Sequence, residues 1–458
     1  MNIGKKDVMW SYISLAMIQG VNIVLLPIIL KYLNSAELGL WYTFTSLYGL
    51  AMLIDFGFQT VIARNISYIW SGAKSINSTG INIDKEDKKE EFDLRYFIKL
   101  LSTVKFTYYI MGLIILIFLI SFGTLYLVEV TNGEIDVQSM LIAWLFYMMS
   151  IVLNIAFSFW NAILKGIGAI KTYNQILVVT KVVQLILSTV SLILGYGIIG
   201  VSFSYFISVV VNRLLQSISY YRYSVQTQLT KRKIKIKYDK QIFQSLIPNT
   251  IKTGINSLAS YLIIGFPIIL CSYFLSLEIS GKFGLVNQII TLILALSNAY
   301  FNTYLSKFNY LRVKQENEQL VKLFLKSIFT NYLFNFFAFS CLIIMGDYIL
   351  EFIGTNYKLL DLVPLLIIIT YRFLYNNQLL FTAFLTTKNK IPYYMHFILS
   401  SVLTVVIQAL LLNILGRNIL NLILPLLVIQ LFFNNWYWVV YVIKDMGRDL
   451  NEKKINNE

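Results

Sequence analysis

The chain has 458 residues, of which 57% are hydrophobic and 13% are charged, and its mean hydropathy is +0.67. A soluble domain could not hide so much apolar surface from water, so the composition indicates a membrane protein. The formal net charge of +15 does not indicate a nucleic-acid-binding protein, because the lysines and arginines separate long uncharged runs and do not gather on one solvated face.

Apolar runs long enough to cross ~30 Å of hydrocarbon as a helix recur along the whole chain. Because lipid offers no partner to a backbone amide, each run is expected to be helical. The predicted spans are residues 8–30, 38–63, 106–128, 137–164, 172–194, 198–221, 243–273, 283–306, 327–345, 362–386, 391–415 and 419–443. The predicted fold class is therefore an all-α integral membrane protein of about twelve transmembrane helices in two six-helix bundles.

The basic residues lie almost entirely on one side of this topology. The exceptions outside the spans are Lys31, Lys282, Lys358 and Arg417. Since lysine and arginine resist translocation, the basic side is predicted to be cytoplasmic, and both termini lie on that side. The loops on the opposite side are short and mildly acidic, so we expect no external domain.

The predicted halves meet at a basic stretch, KRKIKIKYDK, between the sixth and seventh spans. It predicts an N-terminal bundle over residues 1–223, a basic cytoplasmic connector over 224–242, and a C-terminal bundle with its tail over 243–458. The halves share a faint internal repeat, in which Tyr48, Asp55 and Gln59 match Thr291, Asn298 and Asn302 at a constant offset. With six spans per half, the repeat is parallel, about an axis along the membrane normal, and favours a site between the halves.

Polar side chains recur at helical spacing within several spans and mark faces turned toward protein or water. The predicted polar lining of an aqueous cavity is Gln59, Gln184, Asn212, Asn256, Asn298 and Asn376. The charges within spans are Asp55, Lys181, Arg213, Lys252 and Arg372. Since all but one are positive, we expect the cavity to repel cations and to bind a phosphate or pyrophosphate through the two lysines and two arginines.

Alternative roles for these charges stay open at this point. Lys181, Arg213 and Lys252 lie toward the cytoplasmic ends of their spans, where long side chains also reach the interface, whereas Arg372 lies near mid-span. Asp55 fits either a proton or sodium ion bound during a transport cycle or a pair with a neighbouring cation. No metal-ligand spacing, phosphate-binding glycine loop or nucleophile elbow occurs in the sequence, so we expect neither a catalytic residue nor a cofactor.

One stretch of the second span resembles a known family. Glu37-Leu-Gly-Leu-Trp-Tyr, followed by Asp55-Phe-Gly and Arg64, is similar to the acidic-Gly-aromatic stretch and Asp-x-Gly of the polysaccharide flippases of the multidrug/oligosaccharidyl-lipid/polysaccharide (MOP) superfamily, which include O-antigen unit transporters. Pro248, Gly254, Pro267 and Gly281 resemble its second-half counterpart. The resemblance extends over nearly the whole chain and implies a MATE-like fold. Only the region of Asp55 and Arg64 is carried over from the family as functional.

The resemblance also implies a location, the inner membrane of a bacterium, together with a substrate and partners. The substrate would be undecaprenyl pyrophosphate carrying a short oligosaccharide, as in lipopolysaccharide assembly, moved from the cytoplasmic to the outer leaflet by alternating access. The implied partners are membrane lipids, a polysaccharide polymerase and chain-length proteins; no nucleic acid is expected.

Three rival functions stay open. A lipid II flippase of the same superfamily would share every feature above. A multidrug or small-molecule antiporter is expected to carry several cavity carboxylates, and a polysaccharide polymerase or ligase is expected to hold its reactive groups on a sizeable external loop.

The polar stretch over residues 64–105, with DKEDKKEE at its centre, departs from the family pattern and is predicted to be a solvated cytoplasmic loop.

Overall fold

The computed structural model describes residues 5–455, apart from 71–92, 132, 232, 235, 314–315, 356 and 388–391. Almost all of the described chain is helical, and it contains no strand. The helices are α1 Lys5–Tyr32, α2 Ser35–Met52, α3 Phe58–Trp70, α4 Leu94–Phe118, α5 Thr124–Thr131, α6 Val137–Ala156, α7 Phe159–Gly166, α8 Ile170–Ile193, α9 Gly197–Tyr223, α10 Val225–Leu229, α11 Lys240–Ile264, α12 Phe266–Phe274, α13 Leu277–Val313, α14 Asn317–Phe352, α15 Leu362–Thr386, α16 Tyr394–Ile414, α17 Ile419–Ile429 and α18 Asn435–Ile455.

Each predicted span falls on one of these helices or on two consecutive ones, and the all-α prediction is confirmed. Nine helical segments of the described ranges are long and apolar enough to cross a membrane. Several spans are interrupted: α4 and α5 are joined by a π-helical turn at Leu119–Gly123, and α17 and α18 by another at Gln430–Asn434. A 3-10 turn at Leu53–Asp55 precedes α3.

Three boundaries differ from the sequence prediction. The polar loop expected over residues 64–105 is shorter, because α3 continues to Trp70 and α4 begins at Leu94, where the Asp93 carboxylate accepts hydrogen bonds from the first backbone amides of the helix. The charged segment at its centre lies outside the described residues. Helices α13 and α14 extend well beyond the spans predicted over 283–306 and 327–345.

The extensions of α13 and α14 have a packing cause. Hydropathy falls where polar residues enter the sequence, but the apolar side chains on one face of each helix continue to pack. Phe308, Leu311, Leu320 and Phe324 are buried together in a core cluster with side chains of α15 and α18. Burial of these rings and aliphatic groups stabilises helix in a region that a membrane-span criterion excludes.

The chain divides into two compact units, unit 1 over Met1–Leu258 and unit 2 over Ala259–Glu458. The boundary falls inside α11, downstream of the connector predicted over 224–242. Within unit 1, α8 packs on α1 and α9, and α6 packs on α9. The first part of α11 also belongs to this unit: the Phe243 ring stacks on Phe58 at 6.1 Å between centroids. Within unit 2, α13 packs on α14, and α15 packs on α17 and α18.

Candidate functional site

A polar cavity of about 220 Å3 lies within unit 1. Its lining comes from α2, α6, α7, α8 and α9: Tyr48, Asn154, Asn161, Leu177, Thr180, Lys181, Gln184, Tyr205, Ser208, Val209, Asn212 and Arg213. Four of the predicted site residues are therefore brought together here, namely Lys181, Gln184, Asn212 and Arg213. Among the described residues of the lining there are two cations and no carboxylate, so the formal charge of this described lining is positive.

The spacing of polar residues on α8 and α9 produces this wall. Lys181 and Gln184 lie one turn apart on α8, and Ser208 and Asn212 lie one turn apart on α9, so each pair shares a helix face. The two helices pack against each other, and the Asn212 side-chain amide donates to the Thr180 hydroxyl at 3.3 Å. In a span otherwise surrounded by apolar groups, these polar rows need polar partners, and they find them in one another and in the cavity.

A helix break on the opposite wall explains the surroundings of Arg213. Helix α6 ends at Ala156. In an unbroken α-helix the Ser158 amide would donate to the Asn154 carbonyl, but here it donates to the Ile155 carbonyl at 3.1 Å. The Arg213 Nη2 donates to the released Asn154 carbonyl at 3.0 Å and also to the Asn154 side-chain oxygen. The Arg213 guanidinium therefore replaces the backbone amide that would otherwise donate to the Asn154 carbonyl.

The other terminal nitrogen of Arg213 is equally committed. Its Nη1 donates to Asn161 Oδ1 at 3.0 Å and to Gln216 Oε1 at 2.9 Å. Four of the five guanidinium N–H bonds are thus used by the protein itself, and only Nε has no partner in the described structure. Arg213 ties α9 to both sides of the α6–α7 break, so its first role is to hold the cavity together.

Lys181 is less committed than Arg213. Its ammonium donates one hydrogen bond, to Gln184 Oε1 at 2.9 Å, and an ammonium carries three N–H bonds. The side chain is half-buried in the cavity wall. Of the two cations in this cavity, Lys181 is consequently the one with donors left for an anionic ligand.

Tyrosine rings form an aromatic wall beside these cations. The Tyr205 ring stacks on Tyr147 at 5.1 Å between centroids and meets Tyr48 edge-on at 6.3 Å. The Asn154 amide donates to the Tyr48 hydroxyl at 2.7 Å, which links this wall to the Arg213 network. Flat rings with polar edges and amide donors are suited to bind polar, ring-shaped ligands. Sequence reasoning missed Asn154, Asn161 and Tyr205, although the seven-residue spacing of the two asparagines was a readable signal.

Three predicted residues come together in unit 2. Arg372 lies on α15 with 3% of its surface exposed, and its Nη2 donates to the Thr291 hydroxyl of α13 at 2.8 Å. One turn further along α15, Asn376 Oδ1 accepts from the Asn298 amide at 2.7 Å. The two amides are also connected to Asn331 on α14. These contacts place a buried cation next to an amide cluster.

Asp55 lies at the end of the 3-10 turn between α2 and α3. Its carboxylate accepts from the Tyr108 hydroxyl at 2.6 Å and from the Gln59 backbone amide at 3.3 Å, so it caps the first turn of α3. Among the described side chains, no cation forms an ion pair with Asp55, and both roles predicted for this carboxylate stay predictions. Phe56 and Gly57 follow with positive φ angles of 42° and 76°, a conformation that costs energy for a phenylalanine.

The remaining predicted residues lie on α11 and on α3. Asn256 belongs to unit 1, and its Oδ1 is buried without a hydrogen-bond partner. Gln59 is half-buried at the start of α3. Lys252 lies on α11, but its side chain falls outside the described residues, so its predicted role stays a prediction.

Comparison with protein-family models and with curated proteins found no match. Solved structures do match over nearly the full length. A multidrug resistance MATE family transporter of the MOP superfamily, in an inward-facing conformation, is 15% identical, with 98% of this chain and 99% of that chain covered and a TM-score of 0.69. The MATE multidrug transporter DinF-BH is 12% identical, with 97% and 96% covered and a TM-score of 0.59.

A third match is a MOP superfamily transporter from Pyrococcus furiosus, which is 12% identical, with 97% of each chain covered and a TM-score of 0.53. At these identities the likeness establishes the fold. The chain is an all-α integral membrane protein with the fold of MATE transporters of the MOP superfamily, as the predicted fold class stated.

Proposed function

We propose that this protein is a membrane transporter that moves an anionic lipid-linked saccharide, an undecaprenyl pyrophosphate carrying a short oligosaccharide, from the cytoplasmic to the outer leaflet by alternating access. The observation that carries the proposal is the unit 1 cavity, whose lining, as far as the structure describes it, holds Lys181 and Arg213 and no carboxylate. We place the protein in a bacterial inner membrane with both termini in the cytoplasm, as the distribution of basic residues predicts.

The sign of the charge in the described cavity lining supports an anionic substrate. In a spanning helix an uncompensated cation is costly, so a cavity with only cations favours a ligand that brings negative charge. A pyrophosphate does so, and the spare Lys181 donors suit it. A cationic drug would meet repulsion instead, which argues against the multidrug antiporter that the fold alone would allow. The structurally similar transporter from Pyrococcus furiosus has a binding pocket of reverse polarity that suggests a different function for that protein.

The saccharide part of the substrate also has a matching surface. Tyr48 and Tyr205 line the cavity with ring faces and hydroxyls, and Gln184 and Asn212 add amides. Sugar rings bind through such a mixture of apolar faces and hydrogen bonds. Lipid II combines the same pyrophosphate with another saccharide and is the nearest alternative substrate. A polymerase and chain-length proteins would act on the product and are the expected partners.

The proposal is tested with the full-length protein in liposomes that contain fluorescent undecaprenyl pyrophosphate-linked oligosaccharide. Exposure of the label to a membrane-impermeant quencher is measured over time, with K181Q as the variant and an uncharged polyprenyl glycoside as the substrate control. We expect protein-dependent movement of the pyrophosphate lipid, loss of that movement in K181Q, and no movement of the uncharged lipid. Export of cationic drugs without movement of the pyrophosphate lipid would reassign the protein to the multidrug class.

A further inference from the structure

The guanidinium of Arg372 is buried in unit 2 with most of its donors unused. Its side chain is 3% exposed, Nη2 donates to Thr291 Oγ1 at 2.8 Å, and neither Nε nor Nη1 has a hydrogen-bond partner. No carboxylate of the described chain forms an ion pair with it. Four N–H bonds of a permanently charged group therefore lack an acceptor, which is a large cost for a buried cation.

The polar groups around Arg372 are committed to one another. The Thr291 hydroxyl donates its own hydrogen to the Asn287 carbonyl at 2.7 Å, so it faces Arg372 as an acceptor only. The Tyr371 hydroxyl donates to Asn287 Oδ1 at 3.4 Å, and the Tyr375 hydroxyl donates to Ser260 at 3.0 Å. Within the described part of unit 2, the acceptor that Arg372 needs is not supplied by the protein.

The shape of the unused edge points to the chemistry of the missing acceptor. The Thr291 hydroxyl accepts one of the two N–H bonds on Nη2. The second Nη2 N–H is parallel to an N–H of either Nε or Nη1, and these two unused donors form one edge of the guanidinium. Such a parallel pair of N–H bonds matches two oxygens of one phosphate or carboxylate group. A neutral hydroxyl would satisfy only one donor and would leave the charge uncompensated.

A row of amides continues from Arg372 along the same helices. Asn376 lies one turn beyond Arg372 on α15, and Asn298 lies two turns beyond Thr291 on α13. Their mutual hydrogen bond continues to Asn331 of α14, which donates to Asn298 Oδ1 at 2.8 Å. The cation thus lies at one end of a buried polar seam, which fits an anionic group followed by polar groups of the same ligand.

We propose that Arg372 is a second anion-binding group, contained in unit 2 and formed by other residues than the Lys181 cavity of unit 1, and that it takes a phosphate or pyrophosphate group. The inference rests on the proposed function for the identity of the natural ligand, a pyrophosphate lipid. It does not depend on it for the site itself, because the unused guanidinium edge binds inorganic pyrophosphate by the same chemistry. The protein therefore carries one anion site in each unit.

The site is tested by adding inorganic pyrophosphate to full-length protein in nanodiscs of neutral lipid and measuring thermal unfolding and binding stoichiometry. The variant is R372Q, and the matched control is R312Q, since Arg312 lies in the same unit with its guanidinium against Phe384 and hydrogen-bonded to Thr387. We expect two bound anions for the wild type and R312Q and one for R372Q, with affinity at the lost site falling at least tenfold.

A second readout needs no ligand at all. Replacing an unpaired buried charge with a neutral side chain should raise the unfolding temperature of R372Q in anion-free buffer, while added pyrophosphate should stabilise the wild type more. Wild-type stoichiometry in R372Q, or a lower unfolding temperature without anions, would overturn the second site and assign the guanidinium a structural role.

The two proposals fail in different ways. If pyrophosphate lipid is moved but R372Q binds pyrophosphate normally, the transport function stands and the second site falls. If R372Q loses one bound pyrophosphate but no pyrophosphate lipid is moved by the wild type, the site stands and takes a free anion. Competition between undecaprenyl pyrophosphate and inorganic pyrophosphate for the R372Q-sensitive site distinguishes the lipid from the free ligand.

Discussion

Substitution of the two cations of the unit 1 cavity should have different effects: loss of Arg213 should mainly lower stability, and loss of Lys181 should mainly lower anion binding. Replacing Arg213 with methionine removes four hydrogen bonds. The two Asn154 oxygens and Gln216 Oε1 lose the donor that Arg213 provides, whereas Asn161 Oδ1 keeps a donor in Gln216 Nε2 at 2.6 Å. Each unsatisfied acceptor costs ~1–3 kcal/mol, partly offset because a guanidinium no longer has to be desolvated. We expect R213M to lose ~3 kcal/mol of unfolding free energy.

Replacing Lys181 with methionine removes a single hydrogen bond from a half-buried ammonium. The expected loss is ~1 kcal/mol or less, since the desolvation cost of the charge disappears as well. K181M should therefore fold and insert normally but lose pyrophosphate binding, whereas R213M should lose stability first. The matched control is R222M, which removes an exposed arginine from the same helix, α9, and should change stability by less than ~0.5 kcal/mol.

Unfolding by added SDS in mixed micelles measures these free energies, and pyrophosphate binding is measured on the same samples. An R213M protein as stable as R222M would show that Arg213 does not close the α6–α7 break. A K181M protein that unfolds as readily as R213M would show that Lys181 is part of the same structural network, and the division of roles between the two cations would be wrong.

Three further predictions concern unit 1. A Cβ added at Gly254 would overlap the Phe56 ring, so G254A should destabilise the protein by ~1–3 kcal/mol in the SDS assay; an unchanged midpoint would mean that the ring moves aside freely. The hydrogen bond from Lys99 at 2.7 Å lowers the pKa of Asp239, so its contribution is present at neutral pH and is lost as pH falls below ~4. D239N should therefore be less stable than wild type at pH 7, and the difference should shrink as the pH falls below ~4 and the Asp239 carboxyl of the folded protein becomes protonated. A pH-independent difference would contradict the ion pair. The asparagine of D55N can still accept the capping hydrogen bond from the Gln59 amide, so this variant should fold. D55N should reduce the dependence of transport on an ion gradient. An unchanged dependence would assign Asp55 a structural role.

The fold was largely predictable because its dominant constraint is local. Each apolar run had to become a helix, and the predicted spans coincide with helices or with pairs of them. The breaks inside spans were not predictable from the same reasoning. The α6–α7 break is sustained by Arg213, which lies 59 residues from Asn154, so no property of the local sequence signals it.

Only those features of the candidate site that depend on which helix face is polar could be predicted from the sequence. Polar periodicity on α8 and α9 identified Lys181, Gln184, Asn212 and Arg213, and the structure places all four on one cavity. Periodicity says which face is polar but not which donors are already used. The difference between a committed Arg213 and an available Lys181 depends on acceptors from another helix, which is information that only the tertiary structure holds.

At one matched position of the predicted repeat, the side chains of the two units accept corresponding hydrogen bonds, but one is a carboxylate and the other an amide. Asp55 accepts from Tyr108 on α4, and its counterpart Asn298 accepts from Asn331 on α14, so in both cases the repeat position bonds to the next predicted span. Unit 1 thus keeps a carboxylate at this position, while unit 2 has a neutral amide and nothing in its described part to offset Arg372. Any coupling to a proton or sodium ion is therefore expected in unit 1, and the strongest demand for an external anion in unit 2. Because ion coupling is expected in unit 1 and the Arg372 anion site in unit 2, D55N should alter the ion dependence of transport without changing the number of bound pyrophosphates. R372Q should lower the number of bound pyrophosphates without changing the ion dependence of transport.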